Sequence, residues 1–135
     1  MFWPKRKQAT SEDASRILGR RGEQAAARFL QKLGYRILLR NFACPAGEID
    51  IIALDRGQIV FAEVKTRRSS TASDPEIAVH KHKRRQNTQA ARYFLTQTRR
   101  QDAACRFDVL AIVLPDRGQP QIEHFINAFE PTRQA

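Results

Sequence analysis

Leu18, Ala25, Ala26, Phe29, Leu30 and Leu33 recur along one side of a 3.6-residue period, and Gly34 follows as a stop. This pattern predicts a first helix over Ser15–Leu33. Beyond Gly34 the period drops to two. Tyr35–Phe42, Glu48–Leu54 and Gln58–Arg67 read as strands, with ACPAG turning the chain between the first two and DRG closing a hairpin between the next. A polar stretch without period, RSSTASDP, reads as a loop, and Pro75 suits the first turn of a second helix over Glu76–Gln97. Ala90, Ala91, Phe94 and Leu95 form its buried face, with a break expected near Gln86 and Asn87. Cys105–Leu114 and Gln121–Asn127 complete the series as strands.

The order α-β-β-β-α-β-β predicts one α/β domain with a mixed central sheet. An antiparallel meander comes first, and the helical crossover then lays the fourth strand parallel to a neighbour. The domain spans 15–127, between a basic N-terminal arm over 1–14 and a C-terminal tail over 128–135.

Alternation places charge where a sheet should be apolar. Glu48 and Asp50 lie in the second strand, Glu63 and Lys65 in the third. Strict period two puts Glu48, Asp50 and Ile52 on one face and Ile49, Ile51 and Ala53 on the other. An antiparallel hairpin through LDRG brings Asp50 beside Glu63, and Lys65 follows on the same face about 7 Å along the strand. Two neighbouring carboxylates repel in a half-buried site, and a divalent cation relieves them. An all-oxygen set suits Mg²⁺ or Mn²⁺, and an ammonium beside it can hold an attacking water or stabilise charge on a phosphate. Asp50, Glu63 and Lys65 therefore point to metal-assisted phosphodiester hydrolysis. Glu48, at the strand edge, reads as solvent-facing. Glu23 falls at the margin of the apolar arc of the first helix, either as a further metal ligand or as a boundary residue paired with Arg20 or Arg28.

Net charge strengthens this reading. The chain of 135 residues carries +10, and between Lys65 and Arg100 ten lysines and arginines face only Asp74 and Glu76. Such clustering points to a polyanion, nucleic acid before membrane. Arg67, Arg68, Lys83, Arg84 and Arg85 are the expected phosphate contacts. No apolar run approaches the roughly 20 residues of a membrane span, and the N-terminus lacks a secretory h-region. Cys44 and Cys105 have no metal-type spacing and read as reduced thiols of a cytoplasmic protein. Asp108 reads as a structural partner of Arg106. His80 and His82 read as surface residues, with His124 remote from them.

RRGEQAAARFLQKLGYRILLRNF, GEIDIIALDRGQIVFAEVKTR, AVHKHKRRQNTQAARYFL and RFDV resemble, in that order, the YraN-like family of small uncharacterised bacterial proteins. The resemblance runs from about Gly19 to Leu114. That family is similar in fold to restriction endonucleases and archaeal Holliday-junction resolvases, whose core motif is PD-(D/E)XK. The resemblance implies a restriction-endonuclease-like domain, with Asp50 at the motif aspartate, Glu63 at its acidic position and Lys65 at its lysine. It also places Glu23 at the helix-one glutamate of the resolvase-like branch. Ile49 stands where the motif writes proline, and STASDPEIAV lacks the Phe-Gly pair expected before Pro75. The implied activity is a metal-dependent DNA endonuclease acting on branched or damaged DNA, as a homodimer if the substrate is two-fold symmetric. A non-catalytic nucleic-acid-binding module of the same fold is the alternative.

Overall fold

The computed structural model describes residues 10–68 and 81–130. The elements run α1 (Ser11–Lys32), β1 (Arg36–Cys44), β2 (Gly47–Asp55), β3 (Gln58–Arg67), α2 (Lys81–Gln97), β4 (Cys105–Val113) and β5 (Gln121–Phe129). This is the expected order, in one α/β domain. The sheet order is β1-β2-β3-β4-β5, antiparallel except for the parallel β3–β4 pair that the α2 crossover creates.

Differences from expectation lie mainly at the ends. Helix α1 starts at Ser11 because Thr10 caps it: Asp13 N–H donates to Thr10 Oγ1 at 3.1 Å, and Thr10 N–H donates back to Asp13 Oδ2 at 3.3 Å. This capping box places a helical turn where a loose arm was expected. Helix α2 is continuous through Gln86 and Asn87. The RSSTASDP loop beyond Arg68, Pro75 and the proposed start of α2 lie outside the described residues.

Each helix covers one face of the sheet. Ala26, Ala27 and Leu30 of α1 pack with Ile51, Ala53, Val60, Ala62, Leu110 and Ile112. On the opposite face Ala90, Ala91, Phe94 and Leu95 of α2 pack with Ile49, Ile52, Phe61, Phe107 and Val109. Burial of these apolar surfaces drives the fold. Among the described residues no helix is long and apolar enough to cross a membrane, and Cys44 and Cys105 are both free thiols.

Candidate active site where two strands diverge

From the DRG hairpin, β2 and β3 pair as far as Ile51 opposite Ala62; the next position across would set Asp50 against Glu63. The ladder ends there. Val64 N–H instead donates to Asp50 Oδ2 at 2.8 Å, so a side chain takes the backbone donor that β2 no longer meets. On the other side of β2, Asn41 lies between the pairs Arg40–Ile51 and Phe42–Ile49, and its φ is 54°. Asparagine tolerates that left-handed conformation better than most residues. The consequence is a change of face. Ile51 packs on the α1 side and Ile49 on the α2 side, so the strict alternation that grouped these two residues fails at Asp50. Asp50 stands where β2 crosses from one face to the other.

Glu23 is brought in by a close helix–strand approach. A Cβ on Gly22 would overlap the Thr66 side chain, Cβ included, so a rotamer change at Thr66 would not clear it. Only glycine lets α1 lie this close to β3. Ala27 is buried, which widens the apolar arc beyond the one read from the sequence and places Glu23 inside it rather than at its margin. The carboxylate neighbours Asn41 and Arg40 rather than the expected Arg20 or Arg28.

Lys83 comes from the first described turn of α2, and its Nζ lies 3.5 Å from Glu63 Oε1. The two groups differ in exposure: the Glu63 side chain is 12% exposed, that of Lys83 42%. Lys65 is near enough on β3 for its charge to act on Glu63.

Electrostatics in this cluster favour protons. Burial, then the neighbouring Asp50 charge, push the Glu63 pKa up to about 7 against the pull of Lys83 and Lys65. Burial likewise raises Asp50, although the Val64 N–H, Lys83 and Glu63 work to lower it. Burial and then Asp50 raise Glu23, opposed by Arg40 and a hydrogen bond with Asn41. Glu48 is exposed, as expected, yet its charge raises both Asp50 and Glu23. Its role in the field was legible only in its spacing of two from Asp50. Arg40 and Asn41 carried no such signal.

Among the described residues no three His, Cys, Asp or Glu side chains are gathered closely enough to hold a cation as they stand. The donors still fit a hard divalent ion in kind: Asp50 and Glu63 are adjacent oxygen ligands whose mutual repulsion a cation removes, and Glu23 lies within electrostatic reach of Asp50.

The five expected phosphate contacts separate in space. Successive helix residues point about 100° apart. Thus Lys83 meets Glu63, Arg84 lies over the Phe129 ring at 5.7 Å with its Nε buried and unbonded among the described residues, and Arg85 is exposed. Arg67 joins Lys65, Ala111, Val113 and Glu123 around a cavity of about 280 Å³, whereas Arg68 lines a different cavity beside α1.

A second charged cluster is centred on β4, where Asp108 pairs with Ala62, the neighbour of Glu63 on β3. Asp108, fully buried, accepts from Arg106 Nε at 3.0 Å, Arg106 Nη2 at 3.1 Å and Asn127 N–H at 3.0 Å. His124 Nε2 lies 2.8 Å from Asp108 Oδ2. Arg106 also donates to Asp55, Gln58 and the Tyr35 hydroxyl. The structural pairing of Asp108 with Arg106 is as expected. The burial of His124 is not, because its partner lies sixteen residues away in sequence. His80 lies outside the described residues, as does the side chain of His82.

The family model described as uncharacterised protein family UPF0102 matches residues 22–112, which contain both Asp50 and the Glu63–Lys65 pair. A UPF0102 protein of Pelobacter propionicus is 47% identical over 124 residues, covering 90% of this chain and 89% of the relative. Those of Geotalea daltonii and Geobacter sulfurreducens are 49% and 48% identical over 116 residues, each covering 86% of this chain and 91% of the relative. With most of its length matched at this level, the chain belongs to the uncharacterised protein family UPF0102, the YraN-like family that its paired β2 and β3 sequences resemble.

Proposed function

We propose that the protein is a divalent-metal-dependent nuclease that hydrolyses phosphodiester bonds in DNA. One observation carries the reading. Asp50 and Glu63 converge where β2 and β3 diverge, in surroundings that raise the pKa of both carboxylates, beside Lys65 and Lys83. Neighbouring half-buried carboxylates repel, and a bound cation would relieve that cost.

Asp50, Glu63 and Glu23 would hold Mg²⁺ or Mn²⁺. When bound, the ion supplies Lewis acidity and neutralises charge on the transferring phosphate. The protein's own groups do the rest. The Val64 N–H fixes one oxygen of Asp50 and so orients the other. Lys65 holds or activates the water and stabilises charge developing on the phosphate. Without metal, burial and Asp50 raise the Glu63 pKa to about 7, so binding of the cation would be favoured as Glu63 loses its proton. Exposed Arg85, and Arg67 beside Lys65, supply backbone contacts. The resolvase resemblance favours branched or damaged DNA, and a two-fold substrate would call for a dimer.

The Glu63–Lys83 ion pair favours a second reading. It compensates one carboxylate without metal, as a binding module lacking turnover would. Labelled single strand, duplex, flap and four-way junction incubated with Mg²⁺ or Mn²⁺ separate the two. The nuclease reading expects metal-dependent cutting that disappears in a matched Glu63→Ala preparation. Binding without cutting, equal in both proteins, supports the module.

A further inference from the structure

The flank of α1 facing away from Glu23 carries a second basic surface. Arg21, Arg28 and Lys32 are spaced by seven and four residues, so they form one stripe along the helix. Arg28 and Lys32 lie one turn apart, about 6 Å along the axis. The stripe borders two cavities in line. The first, about 270 Å³, is lined by Ile17, Leu18 and Arg21 of α1, Arg68, and Leu114–Asp116. The second, about 300 Å³, is lined by Ala25, Arg28, Phe29 and Lys32, with Gln119, Pro120 and Ile122 opposite. The β4–β5 connection thus forms one wall of both and α1 the other. Arg21, Arg28, Lys32 and Arg68 face a single lining acid, Asp116.

We propose that this flank of α1 is a track for single-stranded nucleic acid, separate from the surface at Glu63 and Lys65. The inference deepens the nucleic-acid reading above and rests on it. Arg28 and Lys32, about one turn apart, suit successive backbone phosphates, and the hollow between Phe29, Pro120 and Ile122 offers an unpaired base an aromatic ring and apolar surface that a duplex cannot enter. Arg67 and Arg68, adjacent in sequence, line different cavities. The end of β3 therefore stands between the cavity beside Lys65 and the α1 track.

The test is fluorescence anisotropy of a labelled single-stranded oligonucleotide, titrated in chelator over a range of salt. Arg28→Ala with Lys32→Ala removes two charges from the track; Arg36→Ala with Arg56→Ala removes two exposed charges at the β2–β3 hairpin end. The track variant should bind about tenfold more weakly, with a salt slope shallower by about 1.4, since each neutralised phosphate contributes about 0.7 for a single strand. The hairpin variant should match wild type. Equal loss in both variants, loss in neither, or no single-strand binding by wild type overturns the track. Weakened binding to anionic phosphatidylserine vesicles with unchanged oligonucleotide binding overturns it in favour of a membrane surface. Wild-type binding that depends on Arg28 and Lys32, without metal-dependent cutting, would count against the nuclease and leave the track standing.

Discussion

Asp108 and Glu63 are both carboxylates within the sheet, placed on neighbouring strands, yet they are treated in opposite ways. Asp108 is fully buried, and burial alone would raise its pKa, but His124, Arg106 and the Asn127 N–H together hold it below the ordinary carboxylate range. Arg106 also donates to Asp55, Gln58 and Tyr35, and Asp108 first, then Asp55, with the charge of Tyr35, outweigh its own desolvation. Glu63 keeps more solvent access and has Lys83 at 3.5 Å, yet its pKa rises to about 7. The difference separates a charge whose partners are all supplied by the chain from one whose surroundings remain short of positive charge. A closed network serves the fold. A deficit of compensation is what a ligand can exploit.

Removing the closed network's centre should have the largest effect. Asp108→Ala leaves Arg106 and His124 facing an empty buried site, and breaking such a cluster costs about 3–5 kcal/mol. Urea denaturation should show a lower midpoint with little change in slope. A loss below about 1 kcal/mol would mean that Asp55, Gln58 and Tyr35 suffice for Arg106, and the contrast between the two carboxylates would weaken.

The same contrast predicts opposite pH dependences. Asp108 has a lowered folded pKa, so its contribution is present above the unfolded value near 3.9 and is lost as pH falls through the folded one. Glu63 has a raised folded pKa, so the folded state binds the extra proton. Its contribution is complete below the unfolded value of 4.5 and is lost as pH rises through about 7. The shift corresponds to about 3 kcal/mol. Metal-free protein should therefore lose stability between those pH values, and Glu63→Gln should flatten the curve. Mn²⁺ should stabilise wild type most at the high-pH end, where the carboxylates are ionised. A Glu63→Gln curve parallel to wild type would remove the claim that Glu63 is under-compensated.

Gly22→Ala probes how Glu23 reaches the site. Alanine favours the helix by about 1 kcal/mol, whereas overpacking costs about 1–3 kcal/mol. Because the overlap includes Thr66 Cβ, the second effect should win and leave a net loss of up to about 2 kcal/mol. Gly22→Ala with Thr66→Gly should recover most of it, as coupled neighbours do in a double-mutant cycle. Additive losses would show that the close approach is not what the glycine provides.

Local rules account for what was legible. Helix α1, the hairpin and the parallel crossover follow from period, turn residues and connection length, and Asp50, Glu63 and Lys65 stood out because charge interrupted an apolar pattern. The capping box was written in Thr10 and Asp13 and extends the helix by a turn. The change of face at Asp50 had no comparable sign, because it depends on a positive φ at Asn41 and on a tertiary bond to Val64. For the same reason the run Lys83-Arg84-Arg85 read as one patch: adjacency in sequence conceals the 100° turn that sends each side chain to a different neighbour.

Lys83→Ala should have the smallest effect on stability and sharpen the comparison most directly. The ammonium is partly exposed and 3.5 Å from its partner, so its removal should cost less than about 1 kcal/mol. The titration of Glu63 should move more visibly. Lys83 pulls that pKa down more than any other group, so without it the midpoint should rise above about 7, as carboxyl NMR shifts would report. Lys65 remains in both proteins, so a midpoint that stays put would transfer the compensating role from α2 to β3. A midpoint that rises, together with weaker oligonucleotide binding, would show that Lys83 serves the carboxylate in the free protein and a phosphate in the complex. The ion pair would then be a contact that substrate replaces.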